Sequence, residues 1–436
     1  MMLALSTRPS SKVALLLTSY LLVSASYSWA ETLEQEARSA LNYIVGEQKS
    51  HPFLTVYVET ADGEVLLDDA VASNQFFPAG EEPTNRDWMR IWSMTKLVTS
   101  VLALDAMERG ELSLDDPITQ FLPELSDLKV AMLENGNPIS KAIEGDFGEP
   151  AAERSVSDPC DYRLDVPDRV MTVHDLLVHT GGFYYAWTGI PCLDEAQAAL
   201  SLPAATSSAE WLQGVAKLPL VQSPDDGWYY GLNTTVLGFL IERAAGKSLQ
   251  RLVEERILAP YDIEALSYRV PSDVELQPVI SGADGELRLA TAKELAIFGG
   301  LQPPYGPETT LFLGGEGMVA TAPAFARFLR ILFFPESDST EPLLTPQSLK
   351  LLVAPHINET EWGAQGYGVY VSSGLRADQT YDRPGIVRGG GYEGTMYWVD
   401  QEKERVGVVM TQVFMPPFAG VSIDDQVRAL LDHYID

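Results

Sequence analysis

The first regular hydrophobic pattern in the chain is typical of β-strands. The runs FLTVYVET (53–60) and EVLLDDA (64–70) are rich in apolar and β-branched residues, and Ala61-Asp62-Gly63 separates them. Two such runs joined by a short turn that contains glycine predict a β-hairpin. An amphipathic segment near Leu33 to Glu47 precedes the hairpin. We therefore expect a sheet to begin close to residue 50.

Helical spacing dominates the middle of the chain. From Ser93 to Arg109 apolar residues recur at positions 94, 97, 98, 101, 102 and 104, and Gly110 follows. This spacing predicts a helix that ends at the glycine. The helix is apolar on nearly all sides, which indicates that it is buried. Further helical patterns occur at TVHDLLVH (172–179), SAEWLQGVAKL (208–218) and TTVLGFLIERAAGKSLQRLVEERI (234–257).

Strand-like patterns return near the C-terminus. They are GYGVYVSS (366–373), GTMYWVD (394–400) and RVGVVMTQVF (405–414), and a closing helix is expected from Ser422 to Tyr434. Residues 130–168 are polar, with many glycines, prolines and acidic residues and little periodicity. We interpret that segment as an irregular insertion.

Strands at both ends with helices between them predict the fold class. The chain is expected to be an α/β protein of the multidomain α+β kind, with an antiparallel sheet built from both chain ends and flanked by helices. The sheet domain would comprise residues 31–92 and 318–436, and a mainly helical domain, 93–317, would be inserted into it. No internal repeat is evident.

The first thirty residues are typical of a secretory signal peptide. Arg8 and Lys12 precede an apolar stretch from Val13 to roughly Ala25, and Ser28-Trp29-Ala30 resembles the cleavage site of a signal peptide. The apolar part is too short to span a bilayer, although an uncleaved anchor is the alternative. We therefore expect a periplasmic or secreted protein with residues 1–30 removed and no stable membrane anchor.

Charge and cysteine content narrow the partners and the compartment. The chain has 61 acidic and 30 basic residues and a formal net charge of −31. This charge excludes nucleic acid as a partner, because the protein and the nucleic acid are both negatively charged and repel each other. Cys160 and Cys192 are the two cysteines. In an oxidising compartment they are candidates for one disulfide, and two free thiols are the alternative.

Several kinds of site have no sequence signal. The chain lacks a G-x-S-x-G elbow, an H-E-x-x-H motif, a Cys/His cluster and a phosphate-binding glycine loop with its lysine. His174 and His179 are five residues apart, a poor spacing for two metal ligands on one helix face, so we expect structural roles for both. Hydrolysis or group transfer without a cofactor or a metal remains.

Ser93 and Lys96 are the first catalytic candidates. Ser-x-x-Lys spacing places both side chains on one face of a helix, and the first turn offers free N–H groups to a developing negative charge. A lysine among apolar neighbours loses solvation in its charged form, which favours its use as a base. A capped helix with a snorkelling lysine is the alternative. A second tetrad, SDLK (126–129), is not followed by an apolar helix.

The surrounding blocks resemble a known family. IWSMTK, DDPITQFLPEL, MTVHDLLVHTGGF, YYGLNTTVLGFLIERAAGKSL, GGEGMVATAPAFARFL and GGGYEGTMYWVD occur in an order and spacing that resembles the serine β-lactamase-like family. That family includes class C β-lactamases, D-alanyl-D-alanine carboxypeptidases and family VIII carboxylesterases. The resemblance extends over about residues 35–434 and implies a β-lactamase/DD-peptidase-like fold.

The resemblance implies roles for residues of the first two motifs. Ser93 matches the acylated nucleophile, Lys96 its partner, and Tyr230 the second-motif tyrosine that exchanges protons, with Tyr229 as the fallback. The family often has Tyr-Ser-Asn in the second motif, whereas Gly231 follows the tyrosine here. Asn233 is then a candidate substrate-binding residue, and the alternative is that it caps the helix that follows.

The third motif departs further from the family. Gly389, Gly390 and Gly391 stand where class C enzymes have Lys-Thr-Gly, so the backbone can admit substrate and an N–H near Gly391 or Tyr392 can join that of Ser93 as an oxyanion hole. Arg388 is one residue out of phase and should point to the opposite face of the strand. A substrate carboxylate therefore loses its expected anchor.

These features together predict a secreted serine hydrolase that acts on neutral esters through a Ser93 acyl-enzyme. Tyr184 is a further candidate for substrate binding, within an aromatic block that could line an acyl or aryl pocket or could pack onto the helical domain. That block comprises Phe183, Tyr184, Tyr185 and Trp187. A β-lactamase or D-alanyl-D-alanine carboxypeptidase is the first alternative, and a non-catalytic binding protein on the same fold is the second. The expected partner is a small ester or amide, and the oligomeric state stays open.

Overall fold

A computed structural model describes residues 32–143, 159–292, 294–295, 302–337, 341–360, 362–374, 383–417 and 423–435. The predicted signal peptide, residues 1–30, lies outside the described residues and stays a prediction. Within the described residues, no helix combines the length and the apolar character that a membrane span requires.

Of the ten helices in the described residues, eight lie along the chain between the two groups of main strands, one precedes β1 and one follows the last strand. In chain order they are α1 (32–42), α2 (Thr95–Glu108), α3 (Val173–Leu177), α4 (Pro191–Ala199), α5 (Ser208–Val215), α6 (Asn233–Ala245), α7 (Leu249–Val253), α8 (Ala322–Phe333), α9 (Pro346–Leu352) and α10 (Ile423–Tyr434). A π-helical turn extends α1 over Tyr43–Glu47, and another extends α7 over Glu254–Leu258.

The strands of the described residues are mostly short. In chain order they are β1 (Phe53–Thr60), β2 (Val65–Ala72), β3 (Met89–Arg90), β4 (Val130–Leu133), β5 (Tyr162–Asp165), β6 (Leu266–Ser267), β7 (Ile280–Ser281), β8 (Arg288–Leu289), β9 (Val319–Ala320), β10 (Ile357–Thr360), β11 (Gly363–Gln365), β12 (Tyr370–Val371), β13 (Val387–Gly390), β14 (Met396–Asp400), β15 (Arg405–Met410) and β16 (Val413–Phe414).

The main sheet joins the two ends of the chain, as the sequence predicts. Its eight strands lie in the order β10-β11-β12-β13-β14-β15-β1-β2, and every neighbouring pair is antiparallel. The N-terminal strand β1 pairs with the C-terminal strand β15, with Thr55 opposite Met410. The domain boundaries at residues 92/93 and 317/318 stay a prediction.

Helices cover both faces of the sheet, which explains why β1 is buried from Phe53 to Glu59. On one face Leu54, Val56 and Val58 pack with residues of α1 and α10, such as Leu41 and Val427. On the other face the sheet packs against a larger core that contains α2, α6 and α8. Because both faces are covered, a strand in the middle of this sheet has no solvent-facing side.

Helix α2 lies inside the larger core. Every residue from Thr95 to Ala106 is buried, as the all-round apolar pattern predicts. The helix is preceded by a 3₁₀ turn over Trp92–Met94 and therefore begins two residues later than Ser93. Ser93 thus occupies the entrance to a rigid element whose position is set by packing on all sides.

Three segments differ from the sequence-based expectation. The ends of the 130–168 insertion are ordered as an antiparallel pair, β4 with β5, so the prediction of irregular structure is wrong there, and residues 144–158 lie outside the described part. The expected strand over 405–414 divides at Met410, after which β16 pairs with β7. The expected long helix over 234–257 breaks at Gly246, whose φ of 65° ends α6.

Candidate active site

The turn that presents Ser93 is held in an unusual backbone conformation. Trp92 has a φ of 46°, in the left-handed region that a bulky residue rarely adopts, and its side chain is completely buried. Such strain costs about 1–3 kcal/mol and persists only where the surroundings impose it. Here the Ile91 N–H donates to the Met318 carbonyl at 3.1 Å, which ties the turn to the strand region before β9.

The side chains of Lys96 and Tyr230 both reach the Ser93 hydroxyl. Lys96 Nζ lies 3.1 Å from Ser93 Oγ, and the Tyr230 hydroxyl donates to the same oxygen at 2.8 Å. Lys96 Nζ also lies 4.8 Å from the centre of the Tyr230 ring, within cation–π range. The three sequence candidates therefore meet at one oxygen atom, and two groups that can exchange protons contact it.

Lys96 has further partners that fix its ammonium group. The side chain is 3% exposed, and its Nζ donates to the Gly315 carbonyl at 2.9 Å and to the Tyr185 hydroxyl at 3.2 Å. With Ser93 Oγ, these acceptors match the three N–H bonds of an ammonium group. The lysine is thus buried and hydrogen-bonded, unlike the snorkelling lysine that was the alternative.

Tyr230 is oriented by rings on two sides. His179 stacks on it with ring centres 4.7 Å apart and planes 22° apart, and Trp362 meets it edge-on at 5.4 Å. Burial holds the pKa of His179 well below its usual range, so the imidazole is neutral. Gly231 is required beside them, because a Cβ there would lie 2.1 Å from the Phe183 carbonyl oxygen.

The glycine edge lies against the nucleophile turn. A Cβ on Gly391 would lie 2.5 Å from the Ile91 carbonyl oxygen and 3.1 Å from Trp92 Cβ. The Gly391 N–H donates to the Thr395 carbonyl at 2.7 Å and is not free to bind an oxyanion. Among the described residues the N–H groups of Ser93 and Tyr392 have no partner, so Tyr392 is the better candidate of the two residues predicted for this role.

Gly389 leaves no room for a side chain. Its place on β13 is opposite Tyr397, and a Cβ would lie 2.7 Å from that ring and 2.8 Å from its hydroxyl oxygen. Arg388 is opposite Trp398, which packs in the core on the other face of the sheet. The Arg388 guanidinium donates to the Trp362 carbonyl at 3.1 Å. The lysine of related enzymes is therefore replaced by a tyrosine ring beneath a bare backbone.

Two predicted substrate-binding residues have buried side chains. Asn233 is completely buried in the first turn of α6, where its amide nitrogen lies 3.2 Å from His179 Nδ1, so it supports the ring behind Tyr230. It does not cap α6 either, because Leu232 occupies the N-cap position. Tyr184 is 2% exposed and its hydroxyl donates to the Leu193 carbonyl at 3.3 Å. Both side chains are thus buried and hydrogen-bonded to other protein groups, and their role in substrate binding stays a prediction.

Partly buried aromatic rings surround the nucleophile. Trp187 stacks on Tyr392 with ring centres 5.6 Å apart, and the Trp228 ring lies 6.2 Å from that of Tyr230. The Trp228 indole N–H donates to the side chain of Gln365. The predicted aromatic block thus contributes Trp187 and Tyr185, rather than Tyr184, to this region. Such rings suit apolar acyl or aryl groups.

The two cysteines form a disulfide that closes the chain around the aromatic block. Cys160 precedes β5 and Cys192 lies in the first turn of α4, with their Cα atoms 5.9 Å apart. Cross-links of this kind restrict the unfolded chain and hold a loop near its site.

The histidines contribute no metal site in the described residues. His174 Nδ1 lies 3.1 Å from the Tyr367 hydroxyl, and His179 faces Asn233. Across the described ranges, no three His, Cys, Asp or Glu side chains are grouped so as to hold a metal ion.

Sequence reasoning did not identify Glu316. Its carboxylate is 1% exposed and lies behind Lys96, where it accepts from the Thr235 hydroxyl at 2.8 Å and from the Tyr185 hydroxyl at 3.3 Å. The available signal was an acidic residue between glycines in GGEGM, a block that belongs to the family resemblance without a role being assigned to the acid. An acid in such an apolar, glycine-rich block is unusual because a buried carboxylate needs partners.

Comparisons with known proteins agree with this geometry. The Beta-lactamase family model matches residues 55–432. Protein Rv1367c of Mycobacterium tuberculosis is 28% identical over 72% of this chain and 73% of its own length. Lovastatin esterase of Penicillium rubens is 24% identical over 82% of this chain and 87% of its own.

A solved structure extends the likeness to the fold. EstCE1, described as a hydrolase with promiscuous acyltransferase activity, superposes with a TM-score of 0.63, at 18% identity, over 94% of this chain and 99% of its own. The predicted β-lactamase/DD-peptidase-like fold is confirmed. The chain therefore belongs to the Beta-lactamase family and is a serine hydrolase.

Proposed function

We propose that this chain cleaves neutral carboxylic esters through an acyl-enzyme on Ser93. The observation that carries the proposal is the meeting of Lys96 Nζ and the Tyr230 hydroxyl at Ser93 Oγ, at 3.1 and 2.8 Å. A serine hydroxyl becomes a nucleophile only when a neighbouring group removes its proton. Two such neighbours in hydrogen-bond contact are the arrangement that this chemistry requires.

The residues support a two-step reaction. At the start of the step the Lys96–Tyr230 pair holds one proton fewer than its ammonium–phenol form. Ser93 Oγ attacks the ester carbonyl while its proton passes to that pair, and the oxyanion accepts from the Ser93 and Tyr392 N–H groups. When the C–O bond of the ester breaks, the pair returns that proton to the departing alcohol. Water then attacks the acyl-enzyme, gives its proton to the same pair, and Ser93 recovers it as the acid leaves.

The charge of the site favours uncharged substrates. Among the described residues, Lys96 is the only cation within hydrogen-bonding distance of Ser93, and Glu316 lies behind it. Gly389 supplies no side chain, and the Tyr397 ring fills the space beneath it. A substrate carboxylate, as in a β-lactam or a peptide C-terminus, therefore lacks a free positive partner.

The names of related proteins are consistent with ester chemistry. One is named for the esterase reaction on lovastatin, and another is described as a hydrolase with promiscuous acyltransferase activity. We propose that an alcohol can replace water as the acyl acceptor in this chain as well, because both would attack the same Ser93 ester. The aromatic rings beside Ser93, Trp187 and Tyr392, offer an apolar surface for either group.

We also propose that the protein works in the periplasm or outside the cell. The signal-like segment 1–30 and the Cys160–Cys192 disulfide support export, since disulfides persist in oxidising compartments. The N-terminal sequence of protein recovered from the periplasm or medium tests this. We expect it to begin at Glu31, whereas an intact N-terminus on cytoplasmic protein would contradict export.

Ester and β-lactam turnover decide between the enzyme hypotheses. We expect wild-type protein to hydrolyse p-nitrophenyl butyrate far faster than a chromogenic cephalosporin, and to be labelled by a fluorophosphonate probe, while Ser93→Ala is neither active nor labelled. Cephalosporin turnover as the dominant activity would favour the β-lactamase alternative. Wild-type protein that neither labels nor turns over would favour a binding protein.

A further inference from the structure

Behind Lys96 lies a buried acidic group that the ester reaction outlined above does not use. Glu316 belongs to the turn between Leu313 and β9, and its carboxylate is 1% exposed. Two glycines allow this turn to lie directly against α6 and α2. A Cβ on Gly314 would lie 2.9 Å from the Thr234 carbonyl oxygen, and one on Gly315 would lie 2.7 Å from Thr235 Oγ1 and 3.5 Å from Lys96 Nζ.

The hydroxyl of Tyr185 connects the two charged groups. It lies 3.2 Å from Lys96 Nζ, from which it accepts, and it donates to Glu316 Oε2 at 3.3 Å. The backbone of the same turn contributes as well, because the Gly315 carbonyl accepts from Lys96 Nζ at 2.9 Å. An ammonium, a phenol and a carboxylate thus form one chain of hydrogen bonds that begins at Ser93.

Neighbouring groups set the pKa of the Glu316 carboxylate. Burial raises the pKa of Glu316, while the nearby Lys96 charge and the hydroxyls of Thr235 and Tyr185 oppose that rise. Burial, with Glu316 beside it, also holds the pKa of Tyr185 well above its usual range, so this phenol stays protonated. A charge removed from water is stable only with such partners.

Four groups face Lys96, and they come from three segments of the chain. They are Tyr185 and His179 after α3, Tyr230 before α6 and Glu316 before β9, and the imidazole of His179 is neutral. The charge of Lys96 lowers the pKa of Glu316. Burial raises the pKa of the Tyr268 and Tyr305 phenols, and the charge of Glu316 adds to that rise. Glu316 is therefore the only anion among the described groups that face the lysine.

We propose that Glu316 is a positioning residue for Lys96, whose buried carboxylate acts through the Tyr185 hydroxyl to hold the ammonium on Ser93 and to neutralise its charge. The inference rests on the proposed function, in which Lys96 exchanges protons with Ser93. It explains how a nearly buried lysine is kept next to the nucleophile. It also explains why the site presents no net positive charge to a substrate.

The pH dependence of kcat/KM for p-nitrophenyl butyrate tests the proposal. An anion near Lys96 stabilises its protonated form, so Glu316→Gln should shift the acid limb of the profile to lower pH by at least about half a unit. The plateau should fall about tenfold, because the side chain of Lys96 is held less well against Ser93. Glu59→Gln is the matched control, since Glu59 is also buried but pairs with Arg330, and Lys96 is not among the groups that act on it. It should leave the acid limb unchanged.

A second variant covers the case in which Glu316→Gln does not fold. Tyr185→Phe removes only the hydroxyl that links Lys96 to Glu316. This variant should also shift the acid limb of the kcat/KM profile to lower pH and reduce kcat. In the double variant the two effects should be less than additive, because both act through one chain of contacts. Additive effects would contradict the linkage through Tyr185.

The outcomes separate this inference from the proposed function. If the wild type is active and the pH profiles of Glu316→Gln and Tyr185→Phe have the same acid limb as the wild type, the role of Glu316 is overturned. The proposed ester reaction then stays intact. Wild-type protein that neither hydrolyses the ester nor is labelled at Ser93 would overturn the proposed function itself.

Discussion

Replacing Tyr230 with phenylalanine isolates the contribution of one hydroxyl group. The hydroxyl donates to Ser93 Oγ at 2.8 Å, and its loss leaves the ring between His179 and Trp362. The aromatic contacts of the wild type therefore remain. What is lost is the group that, in the proposed reaction, passes a proton between Ser93, the leaving alcohol and water.

The size of the effect follows from the position of the hydroxyl. General acid–base groups contribute about 10²- to 10⁴-fold to a rate. Since Tyr230 would act in both acylation and deacylation, we expect kcat to fall at least about 100-fold, which corresponds to about 2.7 kcal/mol at the transition state. The free energy of unfolding should change by no more than about 1 kcal/mol, because one partly exposed hydrogen bond is lost.

Steady-state hydrolysis of p-nitrophenyl butyrate, together with urea unfolding, measures both quantities. Tyr229→Phe is the matched control, because it removes a hydroxyl from the adjacent tyrosine and tests the fallback assignment. We expect Tyr229→Phe to retain kcat within a few-fold. A Tyr230→Phe enzyme with nearly normal kcat, or a larger loss in Tyr229→Phe, would refute the assigned role of Tyr230.

Three further predictions concern stability. Gly389→Ala should lower the unfolding free energy by about 1–3 kcal/mol because its Cβ would overlap Tyr397, whereas Gly390→Ala, whose Cβ meets only the Thr395 carbonyl oxygen at 3.2 Å, should cost less in the same denaturation assay. Replacing both Cys160 and Cys192 with serine should lower the unfolding free energy by about 2–4 kcal/mol, and equal stability of variant and wild type would contradict a formed disulfide. Burial raises the pKa of Glu242 to about 7, so its protonated form stabilises the fold, and this contribution should disappear as pH rises from about 4.5 through 7. Relative to Glu242→Gln, the wild type should therefore lose about 3 kcal/mol across that range, and parallel stability curves would contradict the raised pKa.

Much of the fold could be predicted because the hydrophobic pattern and the tertiary structure agree. The run 53–60 coincides with β1, and the all-round apolar pattern after Ser93 corresponds to the fully buried α2. Short strands were harder to predict. Only Tyr370–Val371 of the expected strand 366–373 is extended in β12, since Gly366 and Gly368 fold tightly against neighbouring backbone.

The site was predictable where a residue type is tied to one chemistry. Ser93 and Lys96 share a helical face by spacing alone, and the family pattern selects Tyr230 from 18 tyrosines. The neighbouring layer depends on tertiary contacts that spacing does not encode. Tyr185 contacts Lys96 while the adjacent Tyr184 contacts Leu193, in a segment that follows a positive φ of 58° at His179 and packs tightly against Gly231.

The same limit applies to Glu316 and Asn233. Residue spacing does not show which groups surround an acid between glycines, and only the packing of that turn against α6 places the carboxylate near Lys96. An asparagine ahead of a helical run is typical of a cap, yet a helix that begins one residue earlier directs Asn233 into the core beside His179.

Location of the trapped acyl group tests the central claim most directly. Wild-type protein is mixed with a neutral p-nitrophenyl ester, quenched with acid within milliseconds, digested and analysed by mass spectrometry. The account predicts that the mass of the acyl group appears on the peptide that contains Ser93, and that the Ser93→Ala protein carries none. An acyl group on another residue, or continued ester hydrolysis by Ser93→Ala, would contradict it.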